Sequence, residues 1–131
     1  DHLHLTVVQK PEILAQINAA FQKAVGDPNM QVTYGAPTVI YVSCKNEDEE
    51  IVKGCNAGVV MENMLLEAAD LGLGAVYLFG VSQVLFANEE ITKLLQIPEG
   101  FRTVSAIAVG TSADALQERT LGTDKISTTT L

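Results

Sequence analysis

The stretch EIVKGCNAGVVMENMLLEAADLGLGAVYLFG, residues 50–80, decides the fold. Read with helical periodicity, its apolar residues fall on every side of one helix: Ile51, Val52, Cys55, Val59, Val60, Met61, Met64, Leu65, Leu66 and Leu71. A helix that is apolar all round is expected to be buried all round. Gly54, Ala57 and Gly58 lie within a turn of one another, although each glycine costs a helix about 1 kcal/mol relative to alanine. Their small size predicts that another backbone crosses closely there. Gly72 suits the left-handed position just after a helix, and Leu73 suits the hydrophobic contact that closes such a cap. Residues 75–78 then read as a short buried strand ending in Phe79-Gly80.

Outward from this stretch the chain alternates. Leu3, Leu5 and Val7 interleave with His2, His4 and Thr6, the period-2 signature of a half-buried strand. Pro11 suits the first turn of a helix, whose apolar stripe is Ile13, Leu14, Ile17, Ala20, Phe21, Ala24 and Val25. Gly26-Asp27-Pro28-Asn29 ends it. The β-branched run at 38–43 predicts a central strand. After Gly80 comes a loop with Phe86. Asn88 then caps a short helix with Glu89 and Glu90 in its first turn, Leu94 and Leu95 inward, and Pro98 at its close. Residues 103–109 form the last strand. The order is β-α-β-α-β-α-β, with residues 110–131 as an extended polar tail on a single domain of residues 1–131.

Sixteen acidic residues against eight basic ones leave a net charge of −8. Nucleic acid and anionic membrane surfaces require clustered Lys and Arg, so neither is expected as a partner. No apolar run reaches the roughly 20 residues of a membrane span. The two cysteines, Cys44 and Cys55, lack metal-type spacing and point to a reducing, cytoplasmic compartment.

The candidate chemistry is sparse. Gly72-x-Gly74 follows a helix and precedes a strand, the reverse of a dinucleotide-binding turn, where phosphate meets a helix N-terminus. His2 and His4 share a strand face at a spacing metal ligands can use, but no third ligand is near in sequence, and the structural reading is preferred. Cys55 is expected to be a buried, inert thiol, since no base accompanies it. The acidic run at 46–50 is read as charge offsetting a helix dipole rather than a cation site. Asn63, set among Met61, Met64, Leu65 and Leu66, is expected to be buried with a specific hydrogen-bond partner. With no nucleophile–base or paired-carboxylate pattern, an enzyme built on this chain would rely on a cofactor.

A resemblance narrows this. YGAPTVI at 34–40, MENMLLEAADLGLG at 61–74, LQIPEG at 95–100 and AIAVG at 106–110 resemble, in order and spacing, successive blocks of the FMN-dependent nitroreductase family. The resemblance implies an α+β fold, a mixed, largely antiparallel sheet flanked by helices in three layers. It implies an intertwined homodimer in contact through the central helix over 51–71, with FMN in the subunit interface. The backbone at Leu78, Phe79 and Gly80 would approach the flavin ring, with Gly80 leaving room for it. Arg119, with Lys125 as the weaker candidate, would meet the FMN phosphate. The implied reaction passes an electron pair from NAD(P)H through FMN to a nitroaromatic, a quinone or a similar small-molecule acceptor.

The family's N-terminal section, with its Arg-Arg-Ser type phosphate motif and Pro-Ser/Asn-Gln-Pro type loop, has no counterpart here. The chain is therefore expected to be a fragment or a shortened relative. The alternative to an enzyme is a flavin-free, non-catalytic dimeric remnant of the same fold. A third reading is a small-ligand or flavin-binding regulatory module.

Overall fold

In the computed structural model, residues 2–80, 84, 88–114, 117–118, 120, 122 and 125–131 are described. Among them, β1 (Leu3–Val8), α1 (Pro11–Val25), β2 (Thr38–Lys45), α2 (Glu50–Asp70), β3 (Gly74–Tyr77), α3 (Glu89–Leu94) and β4 (Phe101–Gly110) follow in sequence. The alternation expected from the sequence is present, and β4 begins two residues earlier than its β-branched run suggests.

Local chemistry sets the boundaries. Pro11 occupies the first turn of α1, where its missing N–H costs nothing, and Gly26 ends the helix at φ 73°, donating its N–H to Gln22 O. Asn88 caps α3, its Oδ1 accepting from Ile91 N–H at 3.1 Å. At the end of α2, Gly72 takes φ 70°. Its N–H donates to Ala69 O at 3.0 Å, and Leu73 N–H donates to Ala68 O at 2.8 Å. That is the paired bonding of a Schellman motif, as the sequence predicts.

The strand order is β1-β2-β4-β3. Every pairing among the described residues is antiparallel, so the sheet has no parallel component there. β2 is internal, and a register shift between Val42 and Ser43 marks a bulge against β4. α1 and α3 cover one face, burying Ile17, Phe21, Tyr41 and Leu95 with Val8 and Ala106. α2 covers the other, where Ala57 and Met61 meet Val42, Cys44 and Ile107. Three layers result. Gly110 is required by a crossing chain: a Cβ there would come within 2.8 Å of Pro37 Cδ.

Four expectations are corrected. α2 is not buried all round, because the sheet lies on one side only; Ile51, Val59 and Leu66 are 72%, 64% and 60% exposed. Among the described residues no backbone crosses at Gly54 or Gly58, where a Cβ would meet nothing within 4 Å. Cys55 falls on that uncovered side as an exposed thiol, and Asn63 is an exposed amide at the rim of a groove between α2 and the sheet. β3 is an edge strand rather than a buried one among the described residues: Val76 and Tyr77 are exposed, Ala75 is half-buried against the core under α2, and Leu78, just beyond the strand, is fully buried.

The turn from β2 into α2 is held by charge. Lys53 is buried and donates to Asn46 O at 2.9 Å and to Glu50 Oε1 at 3.0 Å. Glu50 also pairs with Arg102, and Asp48 pairs with His2 at 2.9 Å. The acidic run thus ties the helix start to β1 and β4.

Candidate functional site

The site is built at the free edge of the sheet, where β3 runs out into Leu78, Phe79 and Gly80. Among the described residues β3 is bonded on one side only, to β4, with Tyr77 opposite Ile107 and Val76 opposite Ala108. Leu78 continues this ladder and donates its N–H to Ala106 O at 2.8 Å. In an antiparallel pair, alternate residues turn their backbone groups to opposite sides. With Leu78 bonded inward, the N–H and C=O of Tyr77 face the open edge.

The side chains sort in the same way. Leu78 is buried in the core with Ile91, Leu95 and Ala106. Tyr77 and Phe79, one residue to either side, are 42% and 58% exposed. Their ring centroids lie 6.0 Å apart at an interplanar angle of 53°. Beside them Gly80 is open: a Cβ there would meet nothing within 4 Å among the described residues. The arrangement presents aromatic surface, outward backbone groups and free space together. Those features suit a flat, polar-edged ring such as that of a flavin, so the residues at this end fit the cofactor that the resemblance implies.

The phosphate end is less complete. Arg119 lies outside the described residues. Lys125 is exposed in the tail, which has no helix or strand among its described residues. Phe86 also lies outside the described residues.

Elsewhere the singled-out side chains have structural partners. His2 is paired with Asp48, and His4 meets Phe101 edge-on with centroids 6.1 Å apart. Cys44 is buried, its Sγ 3.7 Å from Lys53 O. Burial is the main cause that pushes its thiol pKa up, with Asp48 adding to it. Such a thiol is not poised as a nucleophile. Among the described residues, no group of three or more His, Cys, Asp or Glu could hold a metal, and no helix is long and apolar enough to cross a membrane.

Sequence reasoning missed the Tyr77–Phe79 pair. Its signal was present: two aromatics two apart at a strand end, flanking one leucine and followed by glycine. β3 ends at Tyr77 and Phe79 already begins a helical turn, so strand alternation does not pair the two rings, and only the strand order shows that they lie at an edge. A second feature, a groove of about 480 Å³ between α2 and the sheet, is lined by Ile40, Val60, Asn63, Met64, Leu71 and Val109.

Comparison with known proteins follows the same lines. Residues 1–111 match the model of the nitroreductase family. A protein of Methanothermobacter thermautotrophicus named an NADH dehydrogenase/NAD(P)H nitroreductase is 33% identical over 115 residues, covering 85% of this chain and 56% of its own length. The chain thus spans little more than half of that relative. The solved nitroreductase of Bacteroides fragilis with bound FMN superposes with a TM-score of 0.79 at 21% identity, covering 98% of this chain and 76% of that one. The FMN-bound nitroreductase of Desulfitobacterium hafniense gives 0.74 at 19% identity, with the same coverage of 98% and 76%. At those identities the two structures establish the fold.

Proposed function

This chain belongs to the nitroreductase family, and on that premise we propose that it is the FMN-dependent oxidoreductase domain of an NAD(P)H-using enzyme. Its acceptor would be a nitroaromatic, a quinone or a similar small molecule. The observation that carries the reading is the end of β3, where exposed Tyr77 and Phe79 adjoin open Gly80 at a sheet edge. The names of the relatives support it, since two similar structures hold FMN and a relative is named for NAD(P)H.

Bound FMN would supply the two-electron redox chemistry, which no side chain here provides. The chain's part is to bind and orient. Leu78 N–H is spent on Ala106 O, so Phe79 and Gly80 are the backbone donors we assign to the ring edge. A fixed N–H aimed at a developing charge needs no reorganisation during reaction. Arg119 and Lys125 are assigned to the phosphate, where charge-assisted bonds are the strong ones.

We further propose that residues 1–131 form one domain with residues 110–131 as its tail, and that the domain works as a cytoplasmic homodimer. The dimer would form through the uncovered face of α2. Ile51, Val59 and Leu66 are exposed there beside Gly54 and Gly58, which leave room for a close helix approach. A self-complementary patch of this kind is what a two-fold interface needs.

The test is titration of the chain with FMN, followed by flavin fluorescence, together with NAD(P)H oxidation in the presence of a nitroaromatic. Saturable quenching and acceptor-dependent turnover are expected. Quenching without turnover would confine the domain to flavin binding. A chain that neither binds nor quenches FMN would be the flavin-free dimeric remnant instead.

A further inference from the structure

We infer that the groove between α2 and the sheet binds a small amphipathic cation, a compact apolar body carrying a protonated amine. Its volume of about 480 Å³ lies within the roughly 300–1,000 Å³ of pockets that hold small molecules. Ile40, Val60, Met64 and Val109 give it apolar walls from both the sheet and the helix. Apolar walls alone select no particular occupant. The two polar side chains among them do. Asn63 and Glu67 lie one turn apart on α2 and both line the groove. Neither side chain has a hydrogen bond or an ion pair among the described residues.

The charge around them has one sign. A helix C-terminus carries partial negative charge and favours nearby cations. The end of α2 instead holds Glu67 and Asp70, and its last turn has no basic residue. Helix dipole and carboxylate therefore add at this end of the groove, and no cation lines it to offset them. An ammonium group complements that field, with the Asn63 side-chain carbonyl as a second acceptor for its N–H groups. An anionic ligand would meet an uncompensated carboxylate, and a purely apolar one would gain nothing from either polar group. The groove meets the sheet near the start of β3, at Leu73 and at Val109 opposite Ala75, rather than at the end where FMN is proposed. It also lies on the sheet side of α2, away from the face proposed for the dimer. The inference therefore stands apart from both readings.

The experiment uses three probes that share one apolar body: adamantylammonium, adamantane carboxylate and adamantanol. Binding is read by NMR from isotopically labelled methionine methyl groups. The three methionines separate the positions: Met64 lines the groove, Met61 is buried beneath α2, and Met30 is exposed in the loop after α1. The ammonium probe is expected to shift the Met64 signal saturably and to leave Met30 in place. Glu67→Gln should weaken its binding by about two- to fivefold, and Glu67→Lys should reverse the preference toward the carboxylate probe. Glu67 is exposed, so both variants should fold, as circular dichroism would check. The absence of a saturable Met64 shift overturns the inference. Equal binding of the three probes overturns it too, as does a Glu67→Gln variant that binds the ammonium probe like the parent. A Met64 signal that moves with protein concentration and not with probe would place a second copy in the groove and overturn it as well. FMN titration of Glu67→Gln should match the parent's, so a failure of the flavin reading is seen separately.

Discussion

The Tyr41 hydroxyl is a buried polar atom with no hydrogen-bond partner among the described residues. Its ring is fully buried, and burial pushes its pKa well above the ordinary tyrosine value. An unpaired buried hydroxyl costs about 1–3 kcal/mol. Tyr41→Phe keeps the ring and deletes that cost, so we expect urea unfolding to show equal or greater stability, by up to about 1–2 kcal/mol. A loss of more than that would mean the hydroxyl is bonded after all.

Glu50 is the opposite kind of polar residue. Its hydrogen bond with Lys53 is the main cause that lowers its pKa, followed by that with Arg102. A carboxyl lowered on folding stabilises the native state above its unfolded pKa and loses that contribution as pH falls through the folded one. The stability gap between parent and Glu50→Gln should therefore be full at neutral pH and close below about pH 4. The gap should be small, since Glu50 is exposed and screened by salt. A gap that widens on acidification would reverse the assignment.

At this scale, what could be read from the sequence was local. Gly72, Leu73 and Asn88 were legible because a cap is made by neighbours in the chain. Cys55 and Asn63 were misread because their burial depends on which side of α2 the sheet occupies, which residue type does not encode.

Among elements, α2 carries the largest gap between composition and placement. Its length was legible from the apolar pattern and its C-terminal cap from Gly72 and Leu73, whereas its seating on β2 and β4 was not. An all-round apolar helix, however, needs two partners, and the described chain supplies one. The small residues sharpen this. In the single chain Gly58 has room for a side chain, and replacing glycine inside a helix gains about 1 kcal/mol of propensity. Gly58→Leu should therefore leave the isolated chain as stable as the parent or more so. In the proposed dimer the same leucine would overpack the contact, at about 1–3 kcal/mol. We expect sedimentation to show association weakened about tenfold or more. A variant that associates as the parent does would remove Gly58 from the interface, and a parent that is monomeric at micromolar concentration would remove the interface itself. β3 shows the same limit from the other direction. Its apolar residues read as buried, but an edge strand exposes what a central one hides.

For the whole molecule, the question is how a chain of net charge −8 would hold the anionic cofactor proposed for it. Net charge alone would repel the phosphate of FMN over roughly a Debye length, about 8–10 Å at physiological salt. A charge-assisted bond from Arg119, with Lys125 as a weaker second, would oppose that at about 1.5–3 kcal/mol per bond. Tenfold in affinity corresponds to about 1.4 kcal/mol, so one such bond should make FMN bind about tenfold or more tightly than riboflavin. The proposed ring contacts at the end of β3 and one or two cations would be a short list of anchors, and this chain spans 56% of a relative it matches. We therefore expect the 131-residue chain to bind FMN in the micromolar range or more weakly and to purify with little of it. The advantage of FMN over riboflavin should shrink as salt rises and vanish in Arg119→Ala. If riboflavin binds more tightly than FMN, and salt narrows that gap from the other side, the net charge dominates and Arg119 has no phosphate role. Stoichiometric FMN carried through purification would show instead that the chain anchors the cofactor far better than these groups account for.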